Sequence, residues 1–124
     1  MSNLTKNDEL LLEAAQIGQV DDVIYFLEKG TNINIITPND ETPLFCACEN
    51  RWDCVVTILL EYKADIEVVT CSGRTALSIA LRNNDWGIIT QLVDAGADTD
   101  YIDLDRYLFS STEKELLERI FKRT

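Results

Sequence analysis

Laid on itself with a shift of 33 residues, which carries Thr42 onto Thr75, the chain matches at positions spread through the whole shift. Thr42-Pro43-Leu44 falls on Thr75-Ala76-Leu77, Ala14 on Ala47 and Ala80, and Phe26-Leu27 on Leu59-Leu60 and Leu92-Val93. Ala64-Asp65 falls on Ala97-Asp98, Gly30 on Gly96, and Asn34 on Glu67 and Asp100. A unit of this size cannot bury an apolar face alone. Copies in one register must stack on their neighbours to make a common core.

Each unit reads as helix, tight turn, helix, long turn. Thr42 is a good N-cap, and Pro43 suits the first helical position, where its missing N–H costs nothing. Leu44, Ala47 and Cys48 recur at helical spacing, and the two small residues let neighbouring helices approach closely. A break at Asn50-Arg51 precedes a second helix with a wide apolar stripe: Val55, Val56, Ile58, Leu59 and Leu60. The next copy repeats this, with Thr75 as cap, Leu77, Ile79, Ala80 and Leu81 in the first helix, and Ile88, Ile89, Leu92 and Val93 in the second. Gly96 suits the left-handed conformation of a helix end.

The segments Thr42-Pro43-Leu44-Phe45-Cys46-Ala47-Cys48 and Thr75-Ala76-Leu77-Ser78-Ile79-Ala80-Leu81 resemble the T-P-L-H-x-A-A signature of ankyrin repeats. Ala64-Asp65-Ile66-Glu67 and Ala95-Gly96-Ala97-Asp98-Thr99-Asp100 resemble the family's G-A-D-x-N ending. The resemblance runs over roughly residues 8–107. It implies an all-α ankyrin-repeat solenoid of helix-turn-helix units with long β-turn connections. The expected arrangement is a single domain over 1–124, with repeats at about 8–37, 38–70 and 71–103 and a capping unit at 104–124. Several positions depart from the family. Phe45 and Ser78 replace the His that bonds the Thr cap, which implies loss of that bond. Lys63 stands for the helix-end Gly, Arg51 and Asn84 for the Gly that Gly18 keeps, and Asp40 for the turn Gly that Gly73 keeps.

Stacked repeats need polar end caps. The first unit lacks the T-P-L-H start and is expected to begin at an Asn7-Asp8 cap, with its second helix from about Val20 to Lys29. In the fourth unit, Asp103–Tyr107 keeps register with Thr70–Arg74, but Leu108-Phe109-Ser110 replaces the helix start. The pattern Thr112-Glu113-Lys114-Glu115 reads as a capping box for a last amphipathic helix bearing Leu116, Leu117, Ile120 and Phe121. That helix is expected to cover the third repeat, with a partner-binding role as the alternative.

Charge and residue types narrow the chemistry. The chain has 22 acidic and 11 basic residues, net charge −11, so a polyanion is repelled at long range. Nucleic acid and anionic membrane are not expected partners; a basic protein surface is the natural complement, although charge of this size also serves solubility alone. There is no His, which removes the commonest general base and metal ligand. There is no Gly-rich phosphate loop, GxSxG or HExxH, so neither catalysis nor a cofactor is expected. Cys46, Cys48, Cys54 and Cys71 form no CxxC pair. Zinc spacing is a poor match, and Cys48 holds a small-residue core position. The N-terminal residues do not read as a secretory signal, and no window approaches the roughly 20 apolar residues of a membrane helix. A cytoplasmic monomer is expected, with the nucleus or a host-cell cytosol as alternative compartments.

The resemblance implies binding of a partner protein through a concave face of long-turn tips and first helices. By position that face offers Pro38, Asn39, Glu41, Glu49 and Asn50 in the second unit, and Cys71, Ser72, Arg74, Arg82 and Asn83 in the third. The ends add Gln16, Ile17, Leu104, Asp105 and Tyr107. Arg and Tyr are common anchors, whereas pairing of Arg74 and Arg82 with nearby acids is the alternative. Trp52 and Trp86 lie at the turns between paired helices, where partial burial competes with an anchoring role. The expected function is an interaction module acting as adaptor, scaffold or occluding inhibitor. A microbial effector aimed at a host protein is the second reading, and a Cys-based metal or enzymatic role the most remote.

Overall fold

The computed structural model describes residues 4–122. It contains α1 (Lys6–Ile17), α2 (Val20–Glu28), α3 (Pro43–Glu49), α4 (Asp53–Glu61), α5 (Ala76–Arg82), α6 (Trp86–Asp94) and α7 (Ser111–Lys122). A short 3-10 turn spans Leu104–Arg106, and no strand occurs among the described residues. The first six helices are three antiparallel pairs. The first helices of the pairs, α1, α3 and α5, form an inner row that packs more closely than the outer row α2, α4 and α6. Ala14, Ala15, Ala47, Cys48 and Ala80 explain the difference: they are almost wholly buried and keep the inner helices close. The outer row is spaced by bulkier Val23, Val55, Ile88, Ile89 and Leu92. Unequal spacing of two rows curves the stack towards the inner one.

Local signals fix the helix starts. The Thr42 hydroxyl accepts the Phe45 N–H at 3.1 Å, with Pro43 just inside. Thr75 accepts the Ser78 N–H at 3.1 Å, and the Ser78 hydroxyl receives the Thr75 N–H at 2.8 Å. Ser78 thus bonds the Thr75 cap reciprocally, in place of the His-ring bond whose loss the sequence implied. Phe45 makes no such return bond; its ring is buried in the core instead.

Two cap expectations are corrected. The first helix is capped by Thr5 rather than Asn7-Asp8: Thr5 accepts the Asp8 N–H at 3.1 Å, and the Asp8 carboxylate receives the Thr5 N–H at 3.0 Å. The last helix starts before the Thr112–Glu115 pattern. Ser110 accepts the Glu113 N–H at 3.2 Å and Glu113 receives the Ser110 N–H at 2.9 Å. Leu117 and Ile120 turn inward and are buried where α7 packs against α6 of the third repeat.

Backbone strain repeats with the same period as the sequence. Positive φ occurs at Gly18, Arg51 and Asn84; at Gly30, Lys63 and Gly96; and at Asp40 and Gly73. Each set steps by one repeat. Arg51 (φ 65°), Lys63 (φ 66°) and Asp40 (φ 61°) hold a left-handed conformation that disfavours a Cβ. The stack imposes it, because the chain must reverse direction at the helix ends marked by Arg51 and Lys63 and within the long turn at Asp40.

Candidate protein-binding face

The long turns are two copies of one bonded structure. The Thr37 N–H donates to the Glu41 carbonyl at 3.0 Å and the Asp40 N–H to the Thr37 carbonyl at 2.9 Å. One repeat on, Thr70 donates to the Arg74 carbonyl at 2.8 Å and Gly73 to the Thr70 carbonyl at 2.9 Å. The Cys71 N–H donates to the Asn39 carbonyl at 3.1 Å and ties the two tips together. The turn bases are locked as well. The Asp65 N–H donates to the Asn34 side chain at 2.9 Å, and the Asp98 N–H to the Glu67 carboxylate at 2.8 Å. The polar ending of each unit thus bonds the next one. The third turn keeps the equivalent bond, from the Arg106 N–H to the Asp103 carbonyl at 3.1 Å, but differs in that the Tyr107 N–H donates to the Leu104 carbonyl at 3.1 Å, which closes a 3-10 turn.

The candidate residues fall in two rows. Pro38, Asn39, Ser72 and Asp105 are exposed on the turns, with Glu41, Arg74 and Tyr107 half-buried at their bases. Gln16, Glu49, Asn50, Trp52 and Arg82 are exposed at the far ends of the inner helices, with Asn83 half-buried among them. The seven residues of α3, at about 1.5 Å each, set the rows about 10 Å apart. Ile17 and Cys71 are exposed and Leu104 is half-buried.

Contacts between repeats account for part of the far row. The Asn83 side chain donates to the Glu49 carbonyl at 3.2 Å, and the Trp52 ring N–H to the Gln16 carbonyl at 2.8 Å. Helix ends leave carbonyls without intrahelical partners, and here the next repeat supplies the donors. Trp52 remains 40% exposed beyond that bond. Trp86 is half-buried and meets the Phe109 ring edge-on, with centroids 6.0 Å apart.

Charge on the face is uneven. Burial, with Glu49 adding to it, holds the Glu41 carboxyl above the usual range. Arg74 and Arg82 make no ion pair among the described residues; the ion pairs there are Arg106–Asp103 at 3.8 Å and Lys114–Asp105 at 3.0 Å. Burial also raises the Tyr107 hydroxyl, with Tyr101 close by. Cys46 and Cys48 are buried in α3, whereas Cys54 and Cys71 are exposed. Among the described residues no three His, Cys, Asp or Glu side chains converge as metal ligands, and no helix is long and apolar enough to cross a membrane.

Sequence reasoning passed over Arg106 and Leu108. Arg106 is highly exposed and Leu108 fully so. The available signal was the Leu108-Phe109 pair outside any helix. In extended chain adjacent side chains point to opposite faces, so one of two large apolar neighbours must face outwards.

Paired helices, a 33-residue step in bonds and backbone angles, and turns tied tip to tip define a repeat solenoid. Residues 11–103, three quarters of the chain, match ankyrin repeats in three copies, and the chain belongs to the ankyrin-repeat family. It is 31% identical over 97 residues to human BCL-6 corepressor-like protein 1, which covers 77% of this chain and 5% of that protein. It is 27% identical over 133 aligned residues to an ankyrin repeat-containing protein of Schizosaccharomyces pombe, covering 93% of this chain and 62% of that one. The chain therefore spans less than two thirds of either relative. Ankyrin repeats are generally protein–protein interaction modules and typically non-enzymatic.

Proposed function

We propose that the chain binds a partner protein through the concave face formed by the turn tips and inner helices, occluding or tethering that partner. The tip-to-tip bond from Cys71 to Asn39 carries this reading. It holds Pro38, Asn39, Ser72 and Arg74 at fixed spacing while their side chains stay outside the core. A surface already formed loses little ordering entropy on binding. The net charge of −11 favours a partner whose overall surface is basic, and Glu41 and Glu49 supply local acid. Arg74, Arg82 and Tyr107 provide the anchors, with two guanidinium groups that no acid among the described residues engages.

An affinity capture from lysate of the source organism tests this, comparing the native chain with a folded variant carrying Arg74→Ala, Arg82→Ala and Tyr107→Ala. A protein retained by the native chain and lost by the variant is the expected result. Equal retention would move the site off the concave face, and two partners bound at once would argue against occlusion.

A further inference from the structure

The third turn and the segment after it depart from the repeat, and the departure opens a groove. Two shallow hollows meet there and share Arg106 and Tyr107. One reaches back to Ser78 and Tyr101; the other runs past Arg82 to Leu108. In the preceding units this level is filled by the start of an inner helix. Here Tyr107 is extended (φ −111°, ψ 157°) and residues 108–110 lie in no helix. Leu108 points fully outwards while Phe109 is buried, the alternation of a strand. Among the described residues the N–H groups of Leu108 and Phe109 make no hydrogen bond. The groove thus has free main-chain N–H groups, a large exposed apolar side chain and two guanidinium groups. Arg82 has no carboxylate partner among the described residues, and Arg106 has only the loose 3.8 Å contact with Asp103. The neighbouring Asp105 is engaged by Lys114 at 3.0 Å.

We propose that this groove takes an extended segment of a partner protein in which a large apolar residue adjoins an acidic one. The segment meets the main chain at Leu108 and Phe109, whose N–H groups are free among the described residues, lays its apolar side chain beside Leu108, and sets its carboxylate between Arg82 and Arg106. An extended peptide fits because a free N–H group offers a main-chain bond while alternate side chains enter the two hollows. Acid fits because the local charge is opposite to that of the chain as a whole. A basic partner steered in at long range meets a site that selects for acid at contact. The proposal rests on the protein-binding reading and names the chemistry recognised at its Arg and Tyr end.

The test is selection from a displayed random-peptide library on the full chain, followed by fluorescence anisotropy with the enriched peptides. Enrichment of acidic–apolar peptides is expected. Their affinity should fall at least about tenfold with Arg82→Glu plus Arg106→Glu, fall similarly with Leu108→Ser, and stay unchanged with Glu61→Gln, an exposed position at the end of α4 in the outer row. All of these side chains lie outside the core, and unchanged circular dichroism confirms that the variants fold. Enrichment of basic peptides, peptides indifferent to the groove changes, or no enrichment each overturns the groove. The capture experiment decides the concave-face reading independently of that result.

Discussion

The Trp52 indole lies across Gly18 of the preceding repeat and donates its ring N–H to the Gln16 carbonyl at 2.8 Å. A Cβ on residue 18 would meet the indole at 2.6 Å, and φ there is +82°. Gly18→Ala should therefore lower stability by about 2–4 kcal/mol, from backbone strain plus displacement of the ring. Chemical denaturation reads the loss. A red-shifted emission in a Trp86→Phe background reads the ring's release, and unshifted emission would show that Trp52 does not depend on the glycine.

Lys63 and Arg51 occupy left-handed positions that Gly30, Gly96 and Gly18 fill in the other repeats. Lys63→Gly and Arg51→Gly should each stabilise the fold by about 0.5–1 kcal/mol, since relief of strain exceeds the extra entropy of an unfolded glycine. Asn84→Gly should gain less, because Asn tolerates this conformation better. Thermal melts would show shifts of about 2–5 °C for the first two. A lowered midpoint for Lys63→Gly would mean that its side chain contributes more than its backbone costs.

The last helix offers a comparison between two adjacent patterns. Ser110→Ala should cost about 1 kcal/mol through loss of the bond to the Glu113 N–H. Thr112→Ala and Glu115→Ala should each stay within about 0.5 kcal/mol, as ordinary surface changes do. Denaturant midpoints of the three variants separate the two registers.

Burial pushes the Cys46 thiol from its ordinary 9.0 up to about 11, and burial raises Cys48 as well. The folded state holds these protons more tightly than the unfolded one. That contribution to stability is whole below pH 9.0 and is lost as pH rises towards about 11. Denaturation series should show declining stability over that interval, with a shallower decline in Cys46→Ala. Alkylation of the native protein at neutral pH, read by mass spectrometry, should modify the exposed Cys54 and Cys71 and spare the buried pair. Rapid modification of Cys46 would contradict its burial.

The period of 33, read from Thr42 and Thr75, was enough to define paired helices, their order and the residues between them. Burial follows from spacing along a helix, so Leu44, Ala47, Leu59, Leu77 and Leu92 could be assigned to the core without coordinates. The positions strained by missing glycines were also legible, because each repeat reports what the others need. The candidate face was legible only as positions outside that core. The sequence listed the side chains there but not their bonds, and only stacking showed that Trp52 and Asn83 serve the preceding repeat while Arg74 and Arg82 face no acid among the described residues. The repeat breaks at the chain's end, and there the tertiary structure decided the outcome. Two capping boxes compete at Ser110 and Thr112, and Leu108 and Phe109 are equally apolar. Which box forms and which side chain turns inwards depends on how α7 meets the third repeat. That is a matter of packing across the chain, which no local pattern encodes.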